Sequence, residues 1–280
     1  MSDAPAPKPP GLDDAILGRV VVRRFDFQDV VLVPVLSVVI ALILGALTML
    51  ATGVGIETIG RSFVALFTGS LGSLSAISET LLAATPLILC GLGLAIGFRA
   101  GLFNIGAEGQ LILGGMAAVA VGFMVPGLPM AIHLPLAILA AMLAGAIWAG
   151  IAGWLKAATG AHEVITTIML NFIAFRLTDY LLRNPPIQKP GRSDPISESV
   201  LPTAELPKLL AALDPSLRIH FGLVIAIAAV ALVWWILFRS TIGFEFRASG
   251  ANPHAARYAG MRSGVIIVLV MACAGALAGL

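Results

Sequence analysis

Four histidines, His133, His162, His220 and His254, are the groups best suited to acid–base work near neutral pH, and they are scattered along the chain. None has a nucleophile or a metal ligand close by in sequence. The patterns H-E-x-x-H, G-x-S-x-G and G-x-x-x-x-G-K-S/T are absent, so the chain has no phosphate-binding loop of its own. If it works with ATP, another subunit supplies the site. Cys90 and Cys273 both lie in apolar runs, with neither a disulfide framework nor a metal spacing, and read as small packing residues. Gly91, Gly93 and Gly97 resemble a dinucleotide loop only superficially, because they lie inside an apolar run without a strand before it. The chain therefore reads as a non-enzyme, with no catalytic residue, no metal and no cofactor.

The chemistry left is the binding of polar groups in an apolar setting. Ionisable residues within membrane segments are expensive, so each is a functional candidate. Glu79 opens one apolar run and Glu108 another, while Arg176 and Asp179 are three apart and expected to pair along one helix face. The stretch from Arg99 to Gln110 carries Gly101, Gly106 and Gly109 with Asn104, Glu108 and Gln110. Glycines permit tight or broken backbone, and amides and carboxylates bind hydroxyls and ring edges. Two readings stay open for it: a re-entrant segment lining a solute path, or a turn that anchors helices.

A second signal lies at 239–263. Asn252 can cap a helix, Pro253 suits its first turn and Gly260 can end it. His254–Ala259 is thus expected to be one short helix. It carries small residues (Ala255, Ala256, Ala259) amid Arg247, Arg257 and Arg262, which suits docking into a partner's cleft.

The elements that must position these residues follow from composition. Of 280 residues, 59% are hydrophobic and 11% charged, with mean hydropathy +0.99. Soluble domains carry about 25% charged residues, so this chain is neither a soluble enzyme nor a disordered one. A net charge of +2 gives no case for nucleic acid. Runs long enough for the bilayer core, about 20 helical residues, occur at 30–50, 79–98, 110–125, 135–155, 164–182, 220–238 and 264–280. The fold class is all-α, a polytopic transmembrane bundle of about seven spans. More Lys and Arg fall on the side that includes the N-terminus, placing it in the cytoplasm. Residues 1–29 read as a cytoplasmic tail and 30–280 as the transmembrane domain, with an outer segment at 183–218 and a cytoplasmic loop at 239–263. The outer segment has seven prolines, and its 206–213 stretch is expected to form a short amphipathic helix. The last run meets no polar stop, and the natural chain is expected to continue past it. Small residues recur every fourth position at Gly93-Gly97-Gly101, Ala141-Gly145-Ala149-Gly153 and Gly275-Gly279, the spacing that lets membrane helices approach closely.

Three blocks, in order, resemble the ABC-importer permeases of the simple-sugar, nucleoside and branched-chain amino acid type. They are Phe98-Arg-Ala-Gly-Leu-Phe-Asn-Ile-Gly-Ala-Glu-Gly-Gln110, Gly160-Ala-His-Glu163-Val-Ile-Thr-Thr-Ile-Met-Leu-Asn171, and the run Gly243 to Met261. The resemblance covers roughly residues 75–280. It implies a membrane subunit whose ATP is hydrolysed by a separate cytoplasmic ABC ATPase. An extracytoplasmic solute-binding protein delivers the solute, and a second permease, identical or related, completes the pore. By this resemblance Gly243, Arg247, Gly250, Asn252, Pro253, Ala256, Arg257, Tyr258 and Gly260 form the ATPase-coupling loop. Asn104, Glu108, Gln110 and Asn171 are the solute-path candidates, for a nucleoside first and a simple sugar next. The competing function is an ion-coupled secondary transporter, which would want more buried acids or histidines than these spans carry; a membrane enzyme is disfavoured by the missing nucleophile–base pair.

Overall fold

The computed structural model describes residues 31–280 apart from residue 212; the tail expected at 1–29 lies outside the described residues. Among the described residues ten α-helices follow one another. They are α1 (Val33–Ala51), α2 (Ile56–Leu71), α3 (Leu74–Arg99), α4 (Ala107–Met124), α5 (Met130–Thr159), α6 (Glu163–Leu182), α7 (Gly222–Arg239), α8 (Thr241–Ala251), α9 (Pro253–Tyr258) and α10 (Ser263–Gly279). Among the described residues the extended pairing amounts to two isolated bridges, Gln188 with Ser197 and Lys208 with His220. This is the expected all-helical bundle. In lipid each backbone group must be satisfied within its own segment, and a helix does so.

Among the described residues six helices (α1, α3, α4, α5, α6 and α7) are long and apolar enough to cross a membrane, and α10, the seventh expected span, has 17 residues. α3 and α5 outrun their apolar cores, at 26 and 30 residues. Ser73 starts α3 upstream of the apolar run by accepting a bond from the Ala76 N–H at 3.0 Å. α5 runs on to Gly160, whose φ of 73° is left-handed and ends it. Two helices have no long apolar run to announce them. α2 is amphipathic, with Glu57 and Arg61 paired at 2.6 Å one turn apart. α8 follows α7 after one residue, Ser240, whose hydroxyl accepts from the Gly243 N–H at 3.0 Å.

The chain divides near Phe67 into two compact units. In the first, α1 has no buried residue and α2 buries only Ile59. In the second, α10 lies at the centre, packed on α3, α4 and α5, with Val270 and Met271 fully buried. The four-residue spacing of small side chains does what it predicts. A Cβ on Gly145 would overlap the Gly275 carbonyl, and one on Gly279 would overlap that of Ala141. A Cβ on Gly93 would come within 2.8 Å of the Ala274 carbonyl oxygen. The α5–α10 contact is therefore backbone against backbone, where dispersion and not the hydrophobic effect holds helices together.

Two local expectations are corrected. The described residues of 206–213 form no helix: the Leu209 N–H donates to the Ile219 carbonyl at 2.9 Å beside the Lys208–His220 bridge, pulling the stretch into a hairpin-like turn. Pro207, lacking an N–H, also removes a donor there. Asp179 pairs with Arg183, one full turn on, at 2.9 Å, and not with Arg176.

Candidate functional site

The stretch between α3 and α4 is built from capping and amide chemistry. α3 ends where the Leu102 N–H reaches back to the Gly97 carbonyl at 2.9 Å, with Gly101 at φ 72°. This is the glycine-terminated helix end that an L side chain would strain. Beyond it Asn104 turns inward. Its Oδ1 accepts from the Gly106 N–H at 2.9 Å and from Gln110 Nε2 at 3.0 Å, while its Nδ2 donates to Gln110 Oε1 at 3.1 Å. The two amides thus bond each other twice, at 2% and 1% exposure. Buried polar groups carry little cost only when paired in this way.

One face of α6 holds the stretch by its backbone. Glu163, Thr167 and Asn171 are spaced four apart, so they line up along the helix. The Asn171 side chain accepts from the Gly109 N–H at 3.0 Å and donates to the Ile105 carbonyl at 3.0 Å. The Thr167 hydroxyl accepts from the Ile105 N–H at 3.3 Å and donates to the Glu163 carbonyl at 2.7 Å. Glu163, 7% exposed, receives Lys156 Nζ at 2.6 Å across the α5–α6 turn. Gly106 and Gly109 have no room for a Cβ: one on Gly106 would come within 3.0 Å of Thr167 Cβ, and one on Gly109 within 2.8 Å of Asn171 Oδ1. Of the four predicted path residues, Asn104, Gln110 and Asn171 are brought together here. Glu108, in the first turn of α4, points outward and is exposed. Thr167 was missed by sequence reasoning, although its position midway between Glu163 and Asn171 is a usable signal.

The 239–263 loop meets this stretch. A Cβ on Gly250, near the end of α8, would overlap the Arg99 carbonyl and stand 2.7 Å from the Ala100 carbonyl carbon. Gly243 is equally tight against Leu237, 2.6 Å from its Cα. Asn252 then caps α9, its Oδ1 accepting from the His254 and Ala255 N–H groups, both at 3.0 Å. Pro253 is the first residue of α9, and Gly260, at φ 85°, turns the chain away. The expected short helix is therefore present, one residue earlier than read. Ala256 is its buried anchor, while Arg257 and Tyr258 face out, Tyr258 at 94% exposure. Arg247 differs from them: its guanidinium lies over the Phe238 ring of α7.

At the other end of the bundle the proline-rich segment is stitched down at two places. His133, fully buried, has Nε2 3.0 Å from the Val121 carbonyl, which can only accept, so that nitrogen carries a proton; Nδ1 lies 2.8 Å from the Thr203 hydroxyl. The Arg218 guanidinium reaches Glu79 at 3.3 Å, and the Ile219 N–H donates to Ser78 Oγ at 3.1 Å. In the exposed part the Arg192 guanidinium hydrogen-bonds Asp194 and holds its carboxyl below the usual value. A cavity of about 370 Å³ opens between α3, α4, α5 and α7, with Thr85, Leu111, Ile138 and His220 in its wall. Pro86 borders it and denies the Leu82 carbonyl its helical donor. None of the four predicted path residues lines this cavity.

Residues 76–280 match the family described as branched-chain amino acid transport system / permease component. The guanosine ABC transporter permease protein NupP of Bacillus subtilis is 43% identical over 249 residues, which are 89% of this chain and 70% of that protein. The glucose ABC transporter permease protein TsgB13 of Haloferax volcanii is 40% identical over 255 residues, 88% of this chain and 65% of its own. The nucleoside ABC transporter permease protein NupB of Lactococcus lactis is 35% identical over 257 residues, 89% and 69%. The chain spans about two thirds of the length of these relatives. No solved structure matches it. Its six long apolar helices and the family match over 76–280 lead to one conclusion: the chain belongs to the branched-chain amino acid transport system / permease component family and is a multi-pass ABC-transporter permease of the cell membrane.

Proposed function

We propose that this chain is the translocating subunit of an ATP-driven importer of nucleosides, with simple sugars the next class of solute. The order of solutes rests on the 43% identity to a guanosine permease against 40% to a glucose permease. ATP is hydrolysed by a separate cytoplasmic ATPase pair that docks on the 239–263 loop. A solute-binding protein approaches the 183–218 segment from outside, and a second permease, identical or related, completes the pore.

The observation that carries this reading is α9. A six-residue helix standing between two longer ones, capped by Asn252, closed by Gly260 and anchored on Ala256, presents Arg257 and Tyr258 outward. Isolated helices of this length do not persist in water without such support, and a nearly bare tyrosine beside an arginine is the composition of an interface anchor. In the mechanism, ATP binding closes the ATPase pair and displaces α9. α8 carries the displacement to Arg99 and Ala100 through Gly250, and the 100–110 stretch shifts against α6 as the permease pair alternates between outward-open and inward-open states. ATP drives the change because it binds the two states with different affinity. Asn104, Gln110 and Asn171 shape the path's backbone, and Glu108 is the side chain free to meet solute.

The test is co-purification of the tagged chain from gently solubilised membranes, with partners identified by mass spectrometry. A stoichiometric P-loop ATPase is expected, lost on Arg257→Glu while membrane insertion is kept. Unchanged ATPase association with Arg257→Glu refutes the docking assignment. Uptake that survives a poisoned ATPase site and stops with an uncoupler refutes the importer.

A further inference from the structure

The C-terminal ends of α3 and α7 and the middle of α8 gather three arginines on one aromatic cluster. The Arg99 guanidinium carbon stands 5.5 Å from the centroid of the Phe238 ring, and that of Arg247 stands 5.4 Å from the same centroid. Arg239, the last residue of α7, lies over Trp234 at 5.8 Å. Trp234 and Phe238 are themselves a tilted pair with centroids 6.4 Å apart. Each distance is within the range where a guanidinium is drawn to a ring face.

Held to one ring, the Arg99 and Arg247 charges are no more than about 11 Å apart. Like charges within that range repel, and more strongly beside lipid than in bulk water. The ion pairs among the described residues all lie elsewhere, so no carboxylate oxygen there forms a contact ion pair with any of the three. The nearest compensation recorded for Arg247 is a long bond, 3.4 Å, from Nε to the Gly243 carbonyl. The cluster attracts an anion.

Its position says which kind. Arg239 ends a span, and the turn before it exposes Trp234, Trp235 and Phe238 at 53%, 54% and 40%. Tryptophan at a span end marks the headgroup level of a bilayer. A ligand here must offer a phosphate-like group to guanidinium forks, which suit it geometrically, and an apolar body to the α7 face below. We propose that Arg99, Arg239 and Arg247 form a headgroup site for an anionic phospholipid, its phosphodiester among the three guanidiniums and its acyl chains along the Trp234–Trp235 face of α7. Such a lipid joins α3, α7 and α8 through one ligand. The leaflet it occupies rests on the orientation proposed above; the binding does not.

The test is native mass spectrometry of the purified, delipidated chain without ATPase. It is titrated in parallel with dioleoyl-phosphatidylglycerol, dioleoyl-phosphatidylcholine and inorganic phosphate. Detergent micelles have no sidedness, so failure of the orientation cannot mimic failure of the site. The native chain is expected to retain phosphatidylglycerol over phosphatidylcholine, and inorganic phosphate at equal concentration is expected not to displace it. R99Q/R239Q/R247Q should bind phosphatidylglycerol at least tenfold more weakly, roughly fivefold being the scale for each arginine near an anionic surface. R99K/R239K/R247K, which keeps the charge and loses the fork, should bind with an affinity between those of the native chain and the glutamine variant. Equal retention of both lipids by the native chain overturns the proposal, as does undiminished binding by a monodisperse glutamine variant. Displacement by inorganic phosphate alone makes the site one for a free anion and overturns its lipid character. If the glutamine variant fails to fold, the native chain's own selectivity decides.

Discussion

Replacing Gln110 by leucine separates two roles for the Asn104–Gln110 pair, because leucine nearly keeps the volume and removes the amide. Two hydrogen bonds are lost, at 3.0 and 3.1 Å. Asn104 Oδ1 keeps the Gly106 N–H, but Asn104 Nδ2 is left without its acceptor at a site only 2% exposed. An orphaned buried donor costs about 1–3 kcal/mol in water-soluble proteins. In membranes the unfolded reference state also finds partners, and polar pairs measure nearer about 0.6 kcal/mol each. Two such bonds then give roughly 1–2 kcal/mol, a five- to thirtyfold shift in the folding equilibrium. The assay is reversible unfolding in mixed micelles, paired with solute uptake in reconstituted vesicles at varied solute concentration. A brace predicts lower stability and a lower maximal rate, with KM nearly unchanged. A KM raised tenfold with stability unchanged would refute the brace and make Gln110 a direct solute contact.

Further variants probe the packing. Gly145→Val drives side-chain atoms into the Gly275 backbone and should destabilise the bundle by about 2 kcal/mol or more. Gly150→Ala, on the same helix with nothing within 4 Å, should be neutral or stabilising by up to about 1 kcal/mol; thermal unfolding of the two side by side checks both. Lys156→Met strands the buried Glu163 carboxylate and should cost about 3 kcal/mol, much of it recovered in Lys156→Met/Glu163→Gln, as mixed-micelle unfolding would show. His133→Phe removes the bonds to Thr203 and Val121, and should raise the rate of limited proteolysis within 183–218 severalfold while sites in the 239–263 loop keep their rate.

The parts of this fold that were legible in sequence are those governed by one-dimensional rules. Apolar runs gave the spans, and Asn252, Pro253 and Gly260 located α9 to within a residue because a cap, a first-turn proline and a left-handed stop act locally. The four-residue spacing of Gly145, Gly275 and Gly279 foretold close helix contact, but not that α5 and α10 would be partners. What stayed hidden depends on a second segment. α8 has little apolar bias of its own, and its start is set by a single serine hydroxyl. Lys208 and Leu209 left the helical pattern because the chain near Ile219 returned to pair with them. In the candidate site, residue types pointed to Asn104, Glu108 and Gln110 and the family resemblance added Asn171, yet the bonds that employ Asn171 cross 62 and 66 residues of sequence. Residue type singled out Asn104 and Gln110 as groups for a polar solute, and only the fold showed that they bond each other.

The grip of α6 on the 103–109 stretch falls on peptide groups: the N–H groups of Ile105 and Gly109 and the carbonyl of Ile105. A strand of chain clasped by its peptides is indifferent to the letters written on it, wherever those letters face away from the clasp. Phe103 and Ile105, 47% and 39% exposed, are such positions, whereas Gly106 and Gly109 are not. The shape of the stretch and its outward chemistry can therefore drift separately. A lineage of such proteins could retune what Phe103 and Ile105 touch, one substitution at a time, without passing through an unfolded intermediate.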